Sequence, residues 1–155
     1  MSRSTVKDTD RGIKRLLKEM QKKRMGIKVG IHGDAGMQGP TSVLQIANWN
    51  HDGTSRIPAR PFVAQWYDNH ILDNMALVYK LFARVVENKG AGGLLGALHL
   101  AGLKFVAGIQ AEIVGGGFAP NAASTVRRKG SSSPLIDTGV LKASVTYKVS
   151  QGAAS

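Results

Sequence analysis

Apolar residues recur at helical spacing in several segments of this chain, and the first of these segments is strongly amphipathic. In residues 8–25 the apolar positions form one stripe, which consists of Ile13, Leu16, Leu17 and Met20. Most of the other side chains in the segment are Lys, Arg, Gln or Glu. Positions i, i+3, i+4 and i+7 lie on one face of an α-helix. The pattern therefore predicts a helix that is capped by Asp8, Thr9 or Asp10 and ended by Gly26.

Three further helices are predicted from the same periodicity. A short one follows Thr41-Ser42, with Trp49 among the side chains that face the core. A long one covers residues 62–88, and its apolar side consists of Phe62, Trp66, Met75, Val78, Phe82 and Val85. Another covers roughly 94–114, with a stripe of Leu94, Leu98, Ala101, Phe105, Ile109 and Ile113. The glycine-rich break at 88–93 predicts that the last two pair as an antiparallel hairpin.

Two segments alternate between apolar and polar residues, as strands with one buried face do. They are GIKVGIH at 26–32 and ASVTYKV at 143–149, where Val145, Tyr147 and Val149 form the predicted inner face. Residues 115–137 are rich in Gly, Ser and basic side chains, which predicts a long loop. The fold class is therefore α+β: a small, mainly antiparallel sheet packed with two or more long helices, and a long basic Gly/Ser-rich loop.

The same patterns divide the chain into three parts. Residues 1–25 form the basic amphipathic helix, residues 26–149 form the α+β core with the 115–137 loop, and residues 150–155 form a flexible tail. The most apolar run, at 94–103, is too short to cross a bilayer and contains His99. We therefore expect a soluble protein with no membrane partner.

Charge is concentrated at the amino-terminal end. Residues 1–28 contain ten Lys or Arg against three acids and so contribute +7 of the formal net charge of +11. This asymmetry indicates either a polyanion partner, such as nucleic acid, or a solvated helix face, with about equal weight. The candidate polyanion contacts lie on the polar face of the first helix and are Arg11, Lys14, Arg15, Lys18 and Lys22. The helix has no interleaved aromatic residues, so we expect any nucleic-acid contact to be sequence-independent.

Catalytic and metal-binding motifs were sought in the sequence and none was supported. The chain has no cysteine, its four histidines have no metal-ligand spacing, and its glycine runs lack the dinucleotide and P-loop spacings. Asp137, Thr138 and Gly139 form the triplet that opens the catalytic loop of aspartic proteases, but that chemistry requires a second carboxylate in the same site. We instead predict a structural turn in which Asp137 accepts hydrogen bonds from the backbone N–H groups two and three residues on. No enzyme activity, cofactor or metal is expected.

Two blocks of the sequence resemble a known family. IANWNHDGTSRIPARPFV at 46–63 is similar to one block, and APNAASTVRRKGSSSPLIDTGVLKASVTYKV at 119–149 is similar to the closing block, of the tail-completion and neck proteins of tailed bacteriophages. That group includes minor tail protein Z and related virion morphogenesis proteins. The two blocks have the family's order and separation, and the resemblance covers about residues 27–149.

The resemblance implies a non-enzymatic virion protein at the head–tail junction, assembled in the host cytoplasm. Such proteins form homo-oligomeric rings, commonly sixfold, that contact other neck, connector and tail-tube proteins and can surround DNA in a channel. The 115–137 loop then serves assembly, and residues 57–62 stiffen the other end, in a segment whose Arg60 is available to pair with a carboxylate. The candidate interaction residues in these two blocks are Arg60, Arg127, Arg128, Lys129, Asp137, Thr138 and Gly139.

Overall fold

The computed structural model of the chain describes residues 11–87, 92–130 and 132–150. The helices of this part are α1 Arg11–Lys22, α2 Val43–Asp52, α3 Phe62–Asn69, α4 Ile71–Val86, α5 Gly93–Gly115, α6 Ala123–Lys129 and α7 Val140–Ala143. The strands are β1 Gly26–Ile31, β2 Met37–Gln38, β3 Thr41–Ser42 and β4 Val145–Ser150. The α+β class is confirmed. The proposed caps of the first helix and most of the predicted tail lie outside the described residues.

The main sheet joins β1 and β4, which pair antiparallel. Its inner face consists of three apolar cross-strand pairs, which are Ile31 with Val145, Val29 with Tyr147, and Ile27 with Val149. Such facing pairs stabilise a two-stranded ribbon only when another element covers them. Helix α5 supplies that cover, since it contacts both strands. The predicted inner face of β4 is confirmed.

Helix α5 is the centre of the fold. It contacts α3, α4, β1 and β4, and its buried residues include Leu98, Ala101, Ile109 and Ile113 of the predicted stripe. Leu81 of α4 packs with Ala101 near the start of α5, whereas α3 packs farther along it. The chain therefore returns antiparallel, as predicted.

Two glycines of α5 allow aromatic rings to lie directly on the helix backbone. A Cβ atom at Gly102 would overlap the ring of Tyr147, and one at Gly108 would overlap the indole of Trp66. Tyr147 also reaches His99, whose Nδ1 lies 3.0 Å from the Tyr147 hydroxyl oxygen. These contacts explain why a helix in the core contains glycine, which otherwise weakens helices.

The predicted helix over 62–88 is wrong as a single element, because it breaks at His70. The backbone of His70 leaves the helical region (φ −123°, ψ 19°) between α3 and α4. The predicted apolar stripe was counted across this break and is out of register with the buried face of α4. Met75 is therefore 64% exposed, whereas Leu81 is buried. Trp49 was also predicted inside and is 40% exposed, because the buried face of α2 is formed by Val43 and Ala47.

Helix α1 starts at Arg11 and ends at Lys22, with α4 as its main neighbour. Leu16 is buried, but Leu17 points outward and is largely exposed, so the predicted stripe is narrower than the sequence indicated. Gly12 lies so close to Val86 that a Cβ atom there would overlap the valine side chain. The buried Leu16 and the close contact of Gly12 with Val86 thus attach α1 to the rest of the fold.

Helix α5 is 23 residues long and, by length and composition alone, could cross a membrane. The length argument made from residues 94–103 is therefore wrong, because the helix extends beyond that run on both sides. Core helices of soluble proteins pass the same test, and α5 packs against five elements of this fold, which are α3, α4, α7, β1 and β4. However, 28% of its apolar window is buried, so much of the helix surface is uncovered.

Candidate interaction cleft

The first sequence block folds into a tight loop after α2. Gly53 ends the helix with φ +79° and ψ 174°, a conformation that is essentially restricted to glycine. The Thr54 side-chain oxygen accepts hydrogen bonds from the backbone N–H groups of Arg56 (3.2 Å) and Ile57 (3.0 Å). The backbone N–H of Arg60 then donates to the carbonyl of Asn50 at 2.7 Å. The loop is thereby closed back onto the helix it follows.

Arg60 connects this loop to the second sequence block. Its side chain is 3% exposed, and its Nε donates to the Ala119 carbonyl at 2.8 Å. The two terminal nitrogens donate to Asn50 Oδ1 (3.3 Å), the Pro120 carbonyl (3.2 Å) and Asn121 Oδ1 (3.2 Å). The expected carboxylate partner is therefore wrong, since all four acceptors are neutral oxygens. Burial lowers the pKa of Arg60 below its usual value, and among the described residues no acid forms an ion pair with it.

The predicted 115–137 loop contains a helix that the sequence analysis missed. Helix α6 ends at Gly130, whose φ of +66° is the left-handed conformation common after helices. Lys129, in its last turn, donates from Nζ to the carbonyls of Ser133 (3.1 Å) and Pro134 (3.5 Å). Burial is the main cause that lowers the pKa of Lys129; the charges of Arg60 and Arg128 lower it further, and Asp137 opposes them. The Lys129 side chain thus holds the turn after α6 in place.

The Asp-Thr-Gly corner does not form the predicted capping turn. Gly139 is the N-cap of α7, with φ +79°, and no side chain caps that helix. The Asp137 side chain is exposed, and within the described residues it makes no hydrogen bond. Thr138 does take part, because its hydroxyl oxygen accepts from Gln38 Nε2 at 3.3 Å. Gly139 and the buried Leu135 therefore shape the corner, whereas Asp137 is left facing the charge of Lys129.

The two blocks enclose a cleft of about 300 Å³. Its charged lining residues are four cations and one acid, namely Arg56, Arg60, Arg128, Lys129 and Asp137. Thr138 and Gly139 also line it, so six of the seven interaction residues predicted in these blocks meet there. The exception is Arg127, which is exposed on α6 and does not line the cleft.

Sequence reasoning missed five polar lining residues, which are Gln38, Asn50, Arg56, Asn121 and Thr125. All except Gln38 lie inside the two quoted blocks, so most of the signal was present. The sequence did not show that Arg60 would join the two blocks by hydrogen bonds to residues 59 to 61 positions farther along the chain.

The predicted polyanion contacts form a second, separate surface. Lys14, Arg15, Lys18 and Lys22 are exposed on α1, and no residue of α1 lines the cleft. Arg11 begins the helix, but its side chain is not among those described. The two groups of candidate residues therefore do not form one site.

Within residues 11–87, 92–130 and 132–150, no three His, Cys, Asp or Glu side chains are grouped closely enough to hold a metal ion. Comparison of the chain with protein-family models, curated proteins and solved structures found no significant match.

Proposed function

We propose that this chain is a non-enzymatic structural protein of a tailed-phage virion, which acts at the head–tail junction in joining tail to head. The proposal starts from the two sequence blocks that resemble neck and tail-completion proteins. The observation that carries it is the Arg60 bridge, because the two blocks that carry the resemblance are hydrogen-bonded into one corner of the fold. A corner fixed in this way can present loops to neighbouring subunits.

Uncovered apolar surface supports assembly into an oligomer. On α4, Leu72, Met75 and Tyr79 recur at helical spacing and are 63–77% exposed. On α5, a stripe of exposed apolar residues runs along most of the helix and consists of Leu100, Leu103, Ala107, Ala111 and Val114. Exposed apolar faces of this kind mark protein–protein contacts. Two different faces are what a head-to-tail ring requires, since each subunit must offer one face to each neighbour.

The composition of the cleft supports a non-catalytic role. Its only lining carboxylate is Asp137, and no histidine lines it. General acid–base catalysis needs positioned groups that can exchange a proton near neutral pH. Four cations and one exposed acid instead favour binding.

An assembly extract tests the proposed function directly. In an extract of phage-producing cells that lacks this chain, we expect filled heads and finished tails to accumulate separately. Addition of the purified protein should join them, as counted by electron microscopy and infectivity. The proposal is overturned if heads and tails join equally well without the chain.

The ring is tested by paired substitutions on the two apolar faces. We expect the native protein to form an oligomer, by light scattering after size exclusion, that survives about 0.5 M salt because apolar contacts are not screened. Leu72→Asp and Leu103→Asp should each abolish it, since a buried unpaired carboxylate is strongly unfavourable.

An equimolar mixture of the two variants distinguishes a ring from a symmetric dimer. Each variant keeps one intact face, so in a head-to-tail arrangement the mixture should form a heterodimer and no larger species. Leu17→Asp, at an exposed leucine of α1, is the control that should leave the oligomer unchanged. A mixture that stays monomeric contradicts the head-to-tail ring.

A second candidate function is sequence-independent binding of nucleic acid. The exposed cationic face of α1 favours it, because a row of Lys and Arg can follow a phosphate backbone. In that case complexes should be held by phosphate contacts and dissolve by about 0.5 M salt, whereas the ring should persist.

A further inference from the structure

We propose that the cleft between the two sequence blocks binds a short acidic segment of a partner protein, in which a carboxylate side chain stands beside an aliphatic one. This inference deepens the proposed function, on which it rests for the identity of the partner as another component of the particle. The chemistry of the segment is argued from the cleft alone.

The charges of the cleft are not balanced from within the protein. Arg60 and Lys129 direct their hydrogen bonds to neutral oxygens, so their positive charges persist in the cleft wall. Arg56 and Arg128 are exposed in the same lining, and their side chains make no hydrogen bond within the described residues. Asp137 is the one lining acid. A carboxylate entering the cleft therefore meets an excess of three positive charges.

The remaining lining favours a peptide over a nucleic acid. Much of it is aliphatic and is supplied by Ile46, Ile57, Pro58, Leu135, Val140 and Leu141. Nucleic-acid sites combine cations with aromatic side chains on which bases stack, and no aromatic residue lines this cleft. A volume of about 300 Å³ accommodates a few side chains. The aliphatic and cationic lining residues together match a segment that alternates acidic and aliphatic residues.

Fluorescence anisotropy with a labelled peptide tests the inference on the full-length protein. The probe is the peptide GSDLEIGS, and its neutral counterpart is GSNLQIGS. We expect the acidic peptide to bind about tenfold more tightly at 0.1 M salt, because the two carboxylates meet uncompensated cations. Equal binding of the two peptides would overturn the proposal.

Two adjacent arginines of α6 provide a matched pair of variants. Arg128→Gln removes a cleft charge and should weaken binding of the acidic peptide about fivefold. Arg127→Gln removes the same charge one position away, outside the cleft, and should change binding by less than about twofold. Both residues are exposed, so neither substitution should disturb folding. Equal losses in the two variants would mean that only the net charge of the protein attracts the peptide.

Asp137→Asn gives an effect of opposite sign. It removes the lining carboxylate that repels the ligand, so we expect the acidic peptide to bind about threefold more tightly. The carboxylate makes no hydrogen bond in the described structure, so the substitution leaves no donor without an acceptor. Weaker binding of the acidic peptide by this variant would overturn the proposal that the positive charge of the cleft attracts it.

Competition and assembly assays separate the possible failures. Displacement of the peptide by a 20-base-pair DNA duplex in the native protein and in Arg127→Gln, but not in Arg128→Gln, would replace the peptide proposal with a nucleic-acid site. Peptide binding without head–tail joining in the extract would overturn the proposed function and leave the cleft assignment standing. Head–tail joining by Arg128→Gln at the native rate would overturn the role of the cleft in assembly.

Discussion

Replacement of Arg60 by methionine is expected to lower the free energy of unfolding by about 3 kcal/mol. The substitution removes four hydrogen bonds, of which three join the loop after α2 to residues 119–121 and the fourth returns to Asn50 of α2. Methionine fills a similar volume but leaves partly buried carbonyl and amide oxygens without their donor, which costs more than the loss of a fully exposed bond. Chemical denaturation followed by circular dichroism measures the change.

Arg56→Met is the matched control, because Arg56 lies in the same loop but is exposed. We expect it to change the free energy of unfolding by less than about 0.5 kcal/mol. Equal destabilisation by the two substitutions would show that the Arg60 bridge does not hold the blocks together. In that case the observation that carries the proposed function would be lost.

Replacement of Gly53 by alanine is the second substitution with a large expected effect, again about 3 kcal/mol. The backbone at Gly53 has φ +79° and ψ 174°, which side-chain-bearing residues rarely adopt. A Cβ atom there would lie 2.8 Å from the Ala59 nitrogen and 3.0 Å from the Ile57 oxygen. Both are backbone atoms, so the strain cannot be relieved by rotating a side chain. Thermal unfolding should show a melting temperature lower by about 6–12 °C.

Gly33→Ala is the control for the glycine substitution. A Cβ atom at Gly33 meets no atom within 4 Å, and its φ is outside the left-handed region. Alanine there reduces the freedom of the unfolded chain, so the melting temperature should stay the same or rise slightly. If the Gly53→Ala and Gly33→Ala variants had the same melting temperature, the tight geometry of the loop after α2 would be contradicted.

The sequence was informative wherever a pattern depended on one face of one element. The alternation Val145, Tyr147 and Val149 predicted the inner face of β4, and the stripe through Leu98 and Ile109 predicted the buried side of α5. These patterns are local and directly reflect burial. The α+β class followed from them.

Local patterns failed where long-range packing decided the outcome. Neither glycine nor proline marks the break at His70. The short helix α3 instead packs separately on α5, where the rings of Trp66 and Phe105 lie 5.5 Å apart. The composition of residues 115–137 also concealed α6, because seven residues are too few to show a helical period among glycines and serines.

The candidate site was predicted in part, and the resemblance rather than a motif identified it. Arg60, Arg128 and Lys129 were singled out from the two blocks, and the structure places them around one cleft. The partners of Arg60 could not be predicted. The sequence suggested a carboxylate, but in this chain, which has few acids, carbonyl and amide oxygens accept the hydrogen bonds of the buried arginine. For Asp137, the short-range capping rule was wrong because Gly139 itself is the N-cap of α7.

The pairing of β1 with β4 has a consequence for how the chain acquires its fold. Gly26 and Ser150 are partners in this ribbon although they are 124 positions apart. During synthesis on the ribosome, β1 cannot pair with β4 until residues 145–150 have emerged, whereas the α4–α5 hairpin needs only neighbouring sequence. Contacts between distant positions form slowly because a long loop must close first. The helical hairpin is therefore the natural nucleus, and the ribbon closes over it last.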